Sequence, residues 1–136
     1  MQRTLLTLTA AVMLSAALAQ AASAAMTLVR SNSPTKNLAI RGAVCAVAYT
    51  DASIAKAAPP ELPQIAKEQG VSGSAVLEIR LSPSGTLAAR KIAISSGNAW
   101  LDREALASAA QSKYVPETQD CNAVGGTYLL TVDFNS

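Results

Sequence analysis

Two serine–lysine pairs are the first residues whose types and spacing could do chemistry. Ser33 with Lys36 and Ser53 with Lys56 stand in Ser-x-x-Lys tetrads. On a helix that spacing sets an amine one turn from a hydroxyl, where it could activate the oxygen as a nucleophile. The accompanying Ser-Asp-Asn and Lys-Thr-Gly motifs are absent and Pro34 interrupts the first tetrad, so both are read as chance matches. Asp102 and Glu104 are a second candidate, but two residues apart on one helix they point away from each other and suit helix-end charge better than a glycosidase pair. The sequence has no histidine, which removes the commonest general base and the imidazole zinc sites. It also has no phosphate loop and no dinucleotide fingerprint. The expectation is a non-enzymatic protein with no catalytic residue, no cofactor and no metal.

The remaining reactive residues are Cys45 and Cys121. They are too far apart for a Cys-x-x-Cys redox pair, and two thiolates alone do not close a zinc site. A structural disulfide is the expected use, contributing on the order of 4 kcal/mol by the chain-entropy account of a loop this long. Such a bond implies an oxidising compartment, and the N-terminus agrees. After Arg3 the chain is uncharged from Thr4 to Val29, and Ala19-Gln20-Ala21-Ala22-Ser23-Ala24-Ala25 offers small-x-small sites. Residues 1–24 are read as a secretory signal peptide cleaved after Ala24, with an uncleaved inner-membrane anchor as the minority reading. The expected address is periplasmic, with the remaining chain outside the bilayer.

A chain of 136 residues can build one core. With 4% aromatic residues and a net charge of +2 it has neither stacking platforms nor a row of cations for phosphates, so no nucleic-acid partner is expected.

The elements that would position these residues follow from periodicity. Met26 to Asn37 reads as a flexible leader, Leu38 to Tyr49 as a segment across the core or an added strand fastened by Cys45, and Asp51 to Ala58 as a helical turn ended by Pro59-Pro60. Pro63 opens a short helix over Gln64 to Gln69, which Gly70 stops. Ser74 to Ser82 alternates strictly, with Ala75, Leu77, Ile79 and Leu81 on one face. Pro83-Ser84-Gly85 turns into a second strand, Thr86 to Ser95, to make a hairpin. Asn98 or Ser96 caps a helix from Leu101 to Lys113 with Leu101, Ala105, Leu106, Ala109 and Ala110 clustered on one side; Trp100 packs across its start. A loop holding Pro116, Cys121 and Gly125-Gly126 leads to the last strand, in which Tyr128, Leu130, Val132 and Phe134 alternate with Thr127, Leu129, Thr131 and Asp133. The expected fold class is α+β: a small three-stranded antiparallel sheet with two helices packed on one face. The expected organisation is signal peptide 1–24, leader and disulfide-tethered extension 25–58, and folded domain 59–136.

The ordered set Pro60-Glu61-Leu62-Pro63-Gln64-Ile65-Ala66, Gly70-Val71-Ser72-Gly73, Ser84-Gly85, Ser95-Ser96-Gly97, Leu101-Asp102-Arg103-Glu104-Ala105-Leu106, Tyr114-Val115-Pro116 and a closing strand ending at Phe134 resembles the TonB C-terminal domain. Leu62-Pro63 stands where the family commonly has Tyr-Pro, and Pro59 where it often has a glutamine. The resemblance implies a periplasmic module that links a proton-driven inner-membrane complex to outer-membrane receptors, by pairing an extended receptor motif with the edge of the last strand. Carried over, the peptide-binding edge is Thr127, Tyr128, Leu129, Leu130, Thr131, Val132, Asp133 and Phe134, since strand addition draws affinity from main-chain hydrogen bonds. The implied function is a non-catalytic interaction module, with a part in energy transduction and transport across the outer membrane. The alternative is a secreted structural or accessory domain that self-associates, for example as a homodimer, through the same sheet.

Overall fold

Strict alternation over two long segments dictates the centre of the molecule. In Gly73–Leu81 the buried residues are Ala75, Leu77, Ile79 and Leu81; in Gly126–Phe134 they are Tyr128, Leu130, Val132 and Phe134. Each segment therefore forms a strand with one face in the core, and the two pair antiparallel along their whole lengths. The computed structural model describes residues 25–31, 47 and 49–135. Its elements are β1 (Ala25–Arg30), β2 (Tyr49–Thr50), β3 (Ser53–Lys56), α1 (Gln64–Glu68), β4 (Gly73–Leu81), β5 (Leu87–Ile94), α2 (Ala99–Gln111), β6 (Lys113–Val115), β7 (Glu117–Gln119), β8 (Asn122–Val124) and β9 (Gly126–Phe134).

The expected α+β class, two helices and β4–β5 hairpin are present, but the main sheet is larger than three strands. Its order is β1-β9-β4-β5, and β2-β7-β8 and β3-β6 form two smaller sheets. The extra strands come from segments read as leader, helical turn and loop. Ala25 to Arg30 is extended because Met26 and Leu28 pack against the core while Thr27 and Val29 face outward. Ser53 to Lys56 is a strand because it pairs with β6 across Ser53–Val115 and Ile54–Tyr114. This also separates the second Ser-x-x-Lys pair, since three residues of strand span roughly 10 Å instead of one helical turn. The first pair, Ser33 with Lys36, lies outside the described residues, as do Cys45, the signal-peptide reading and nearly all of Leu38 to Tyr49.

Helix α2 covers the core face of β4, β5 and β9. Its buried stripe is Leu101, Ala105, Ser108 and Ala109, with Ser108 in the position expected of the exposed Ala110. Asn98 caps it, its Oδ1 accepting from the backbone N–H groups of Trp100 at 2.9 Å and Leu101 at 3.4 Å. Asp102 ties the helix to the preceding loop: Oδ2 accepts from Ser95 Oγ at 2.5 Å, and Oδ1 accepts from the Ser96 N–H at 2.8 Å and Ser96 Oγ at 2.7 Å. Burial opposes the charge on Asp102, but these hydrogen bonds outweigh it and hold the carboxyl below its ordinary pKa. The expected packing of Trp100 is only partial, for it stays 42% exposed. The helix ends at Gln111, and Lys113 opens β6 instead.

Gly85 is needed where it stands. Its φ is +78°, and a Cβ there would lie 2.6 Å from the Tyr114 carbonyl oxygen, so the hairpin turn can press against β6 only with glycine.

Candidate functional site

Strand β9, expected to carry an open edge, has neighbours on both sides. Its register with β4 runs from Gly73–Phe134 to Leu81–Gly126. Its register with β1 runs antiparallel through Ala25–Asp133, Met26–Val132, Thr27–Thr131, Leu28–Leu130, Val29–Leu129 and Arg30–Tyr128. A further bond from the Ser31 N–H to the Thr127 carbonyl, at 3.1 Å, extends the ladder. Of the eight expected edge residues, Tyr128, Leu130, Val132 and Phe134 are core, while Thr127, Leu129, Thr131 and Asp133 face the other side of the sheet. The outer strands of the main sheet are β1 and β5. The inner position of β9 has a plain cause. A six-residue segment of the chain, with Met26, Leu28 and Arg30 turned to the core side, already pairs with β9 on the side away from β4.

The seat occupied by β1 has three side-chain subsites along its core face. Met26 lies beside α2, where Ser108 Oγ stands 3.4 Å and Ser112 Oγ 4.0 Å from its Sδ. Both hydroxyl protons are engaged elsewhere: Ser108 Oγ donates to the Ala58 carbonyl, and Ser112 Oγ donates to the Ser108 carbonyl at 2.8 Å. Leu28 packs on the hydrophobic core opposite Leu130. Arg30 reaches a polar cluster in which its Nη1 donates to Glu117 Oε1.

That cluster was not singled out from the sequence. Glu117 is wholly buried on β7, and its carboxylate is satisfied from three directions. Oε1 also accepts from Gln119 Nε2 at 2.7 Å, and Oε2 accepts from Tyr128 Oη at 3.2 Å. Gly126 makes room for this, since a Cβ there would stand 2.7 Å from the Tyr128 hydroxyl. Burial first, then the Glu117 charge and its hydrogen bond, push the Tyr128 phenol up to about 12. Burial works against the Arg30 charge, but hydrogen bonds to Tyr49 and Glu117 and the Glu117 charge overcome it and raise the guanidinium above its ordinary value. Tyr49, whose hydroxyl donates to Asp51 Oδ1 at 2.9 Å, completes the wall from β2. The one signal in the sequence was the period-two run Met26, Leu28, Arg30. It is hard to see because it continues the uncharged stretch before it.

Cys121 sits exposed in the β7–β8 turn with a left-handed φ of 66°, as does Asp120 beside it at 48°. Among the described residues no group of three or more His, Cys, Asp or Glu side chains is placed to hold a metal. Among the same residues no helix is long and apolar enough to cross a membrane.

What this arrangement can do is hold an extended segment: a ladder of main-chain groups, two apolar subsites and one buried acid. No curated protein matches the chain. The family model described as the Gram-negative bacterial TonB protein C-terminal matches residues 58–136, more than half of the sequence. The chain therefore belongs to the TonB C-terminal family, a family of non-enzymatic protein-interaction domains.

Proposed function

We propose that this chain is a non-catalytic periplasmic interaction module that takes up an extended peptide segment, such as an outer-membrane receptor motif, by strand addition to β9 in TonB-dependent energy transduction and transport across the outer membrane. The observation that carries this reading is the pairing of Ala25–Arg30 with β9 over six consecutive residues. It is an example, within one chain, of the strand addition that the family's interaction role calls for. Strand β1 holds the seat, so a partner segment enters as β1 leaves. In this proposal residues 1–24 are the signal peptide, 25–58 supply β1 and the tethered extension, and 59–136 are the receiving domain. A Cys45–Cys121 disulfide fastens the extension, a choice favoured by the bonded state of Cys121 and by the sequence having one other cysteine.

Amide hydrogen exchange on residues 25–136, alone and with candidate receptor peptides, tests this. The expected result is slow exchange along β9 in both conditions, with the β1 amides losing protection as peptide is added. Retention of full β1 protection at saturating peptide would sink the reading. Self-association is the second reading, favoured by the exposed Val29 and Ile94 on the two outer strands, at 59% and 62%. A rise of sedimentation coefficient with concentration would support it.

A further inference from the structure

We propose that Glu117 is a specificity-determining residue of the β9 seat, selecting an extended partner segment of the pattern apolar-x-apolar-x-Arg that runs antiparallel to β9. The proposal rests on the strand-addition reading above and adds the chemistry of the partner. Strand β1 supplies the template. Met26, Leu28 and Arg30 turn to the core side, and Thr27 and Val29 point away and are exposed or nearly so. The first two subsites ask only for apolar volume. The third is different in kind, because Glu117 is wholly buried and Arg30 is the cation that reaches it among the described residues.

A carboxylate taken out of water is tolerated when a cation and hydrogen bonds compensate it, and removing one partner of such a pair is strongly unfavourable. Gln119 and Tyr128 belong to β7 and β9 and stay when β1 leaves. Arg30 goes with β1. A segment that replaces β1 without a cation at the position opposite Tyr128 would leave the carboxylate with two neutral donors and no countercharge. A guanidinium suits the place better than an ammonium, since Arg30 meets both Glu117 and Tyr49 and its planar fork can serve two partners at once. The outward positions carry no such demand, so selectivity is concentrated at one residue in six.

The probes are fluorescein-labelled peptides copying residues 25–30, with the arginine kept or replaced by glutamine or glutamate. They are titrated by anisotropy against residues 25–136 carrying Leu28→Asp, which loosens β1. The arginine peptide is expected to bind at least 10-fold tighter than the glutamine peptide, with the glutamate peptide weakest. Adding Glu117→Gln should erase the preference for arginine over glutamine. If the three peptides bind alike, the role of Glu117 is overturned while strand addition stands. If none binds although exchange reports β1 released, both ideas fall. Should Leu28→Asp unfold the chain, Arg30→Gln serves in its place: the arginine peptide should displace β1 from that variant at a concentration at least 10-fold lower than from the unaltered chain. Equal concentrations would overturn the proposal. A concentration-dependent dimer that the arginine peptide dissolves would give the seat to a second copy's β1 and overturn the choice of a separate partner.

Discussion

Strand β5 meets β4 across a local turn, with Leu81 paired to Leu87, whereas β1 meets β9 from the far end of the chain, with Leu28 paired to Leu130. Both are outer strands of one sheet, yet they are attached by different physics. The β5 attachment is a hairpin whose closure costs little chain entropy. Its charges lie on the surface, as in the pair of Lys91 Nζ and Glu78 Oε1 at 2.9 Å. The β1 attachment must close a long loop and relies on apolar insertion and on an ion pair whose acid is buried. In the strand-addition proposal β5 is the fixed border of the domain and β1 the ligand-like strand, held by its ladder to β9 and by Met26, Leu28 and Arg30.

The largest way to break this contrast is Arg30→Ala. It leaves the buried Glu117 without its cation, and loss of one member of such a pair costs on the order of 3 kcal/mol. Chemical denaturation should register the loss, and hydrogen exchange should locate it: faster opening between β1 and β9, with little change between β4 and β5. Uniform loosening of both borders would refute the contrast.

Alkaline pH attacks the same cluster without mutation. The folded Tyr128 phenol sits at about 12 against an ordinary 10. Because the folded pKa is raised, the contribution is fully present below pH 10 and is lost as pH rises from 10 toward 12. Two units correspond to roughly 2–3 kcal/mol. Denaturation midpoints measured from pH 9 to 12 should fall accordingly, and Tyr128→Phe should flatten that arm. A neutral variant with the same alkaline slope would remove Tyr128 from the account.

A control common to both borders is Asn98→Ala. The cap amide holds the first N–H groups of α2, and its loss costs about 1 kcal/mol. Since α2 packs on β4, β5 and β9, thermal unfolding should shift while the relative protection of the two borders stays the same.

The same contrast explains which parts could be read from the residues. Strands β4 and β9 bury every second side chain, so Leu77, Ile79, Leu130 and Val132 announce their face by period alone. Gly85 and Asn98 announce a turn and a cap by their type. Strands β6, β7 and β8 carry no such pattern. They are three residues each; distant segments, β3 and β2, supply the partners of β6 and β7, and β8 pairs with β7 across a local turn. Glu117 looks like an ordinary loop acid until Arg30, Gln119 and Tyr128 are brought to it by the fold. The family motifs pointed to the last strand as a docking edge. No motif could disclose that Ala25 to Arg30 already lies there, because register is a tertiary fact.

The smallest effect is expected at the opposite border, from Lys91→Ala. Its side chain is 68% exposed and that of its partner Glu78 37% exposed, so water and salt screen the attraction and the side chains lose entropy in meeting. Pairs of this kind contribute about 0.2–1 kcal/mol. The contact matches Arg30–Glu117 in the sign of its charges and differs in burial, in the cation and in the neutral donors that Gln119 and Tyr128 add around Glu117. The change should shrink further when ionic strength is raised, while the Arg30→Ala deficit should persist, because a wholly buried carboxylate is reached by little salt. Measuring both variants at low and high salt therefore separates the borders more sharply than either variant alone. If Lys91→Ala cost as much as Arg30→Ala, the two borders would be held by equivalent contacts, and the case for β1 as the exchangeable strand would lose its energetic basis.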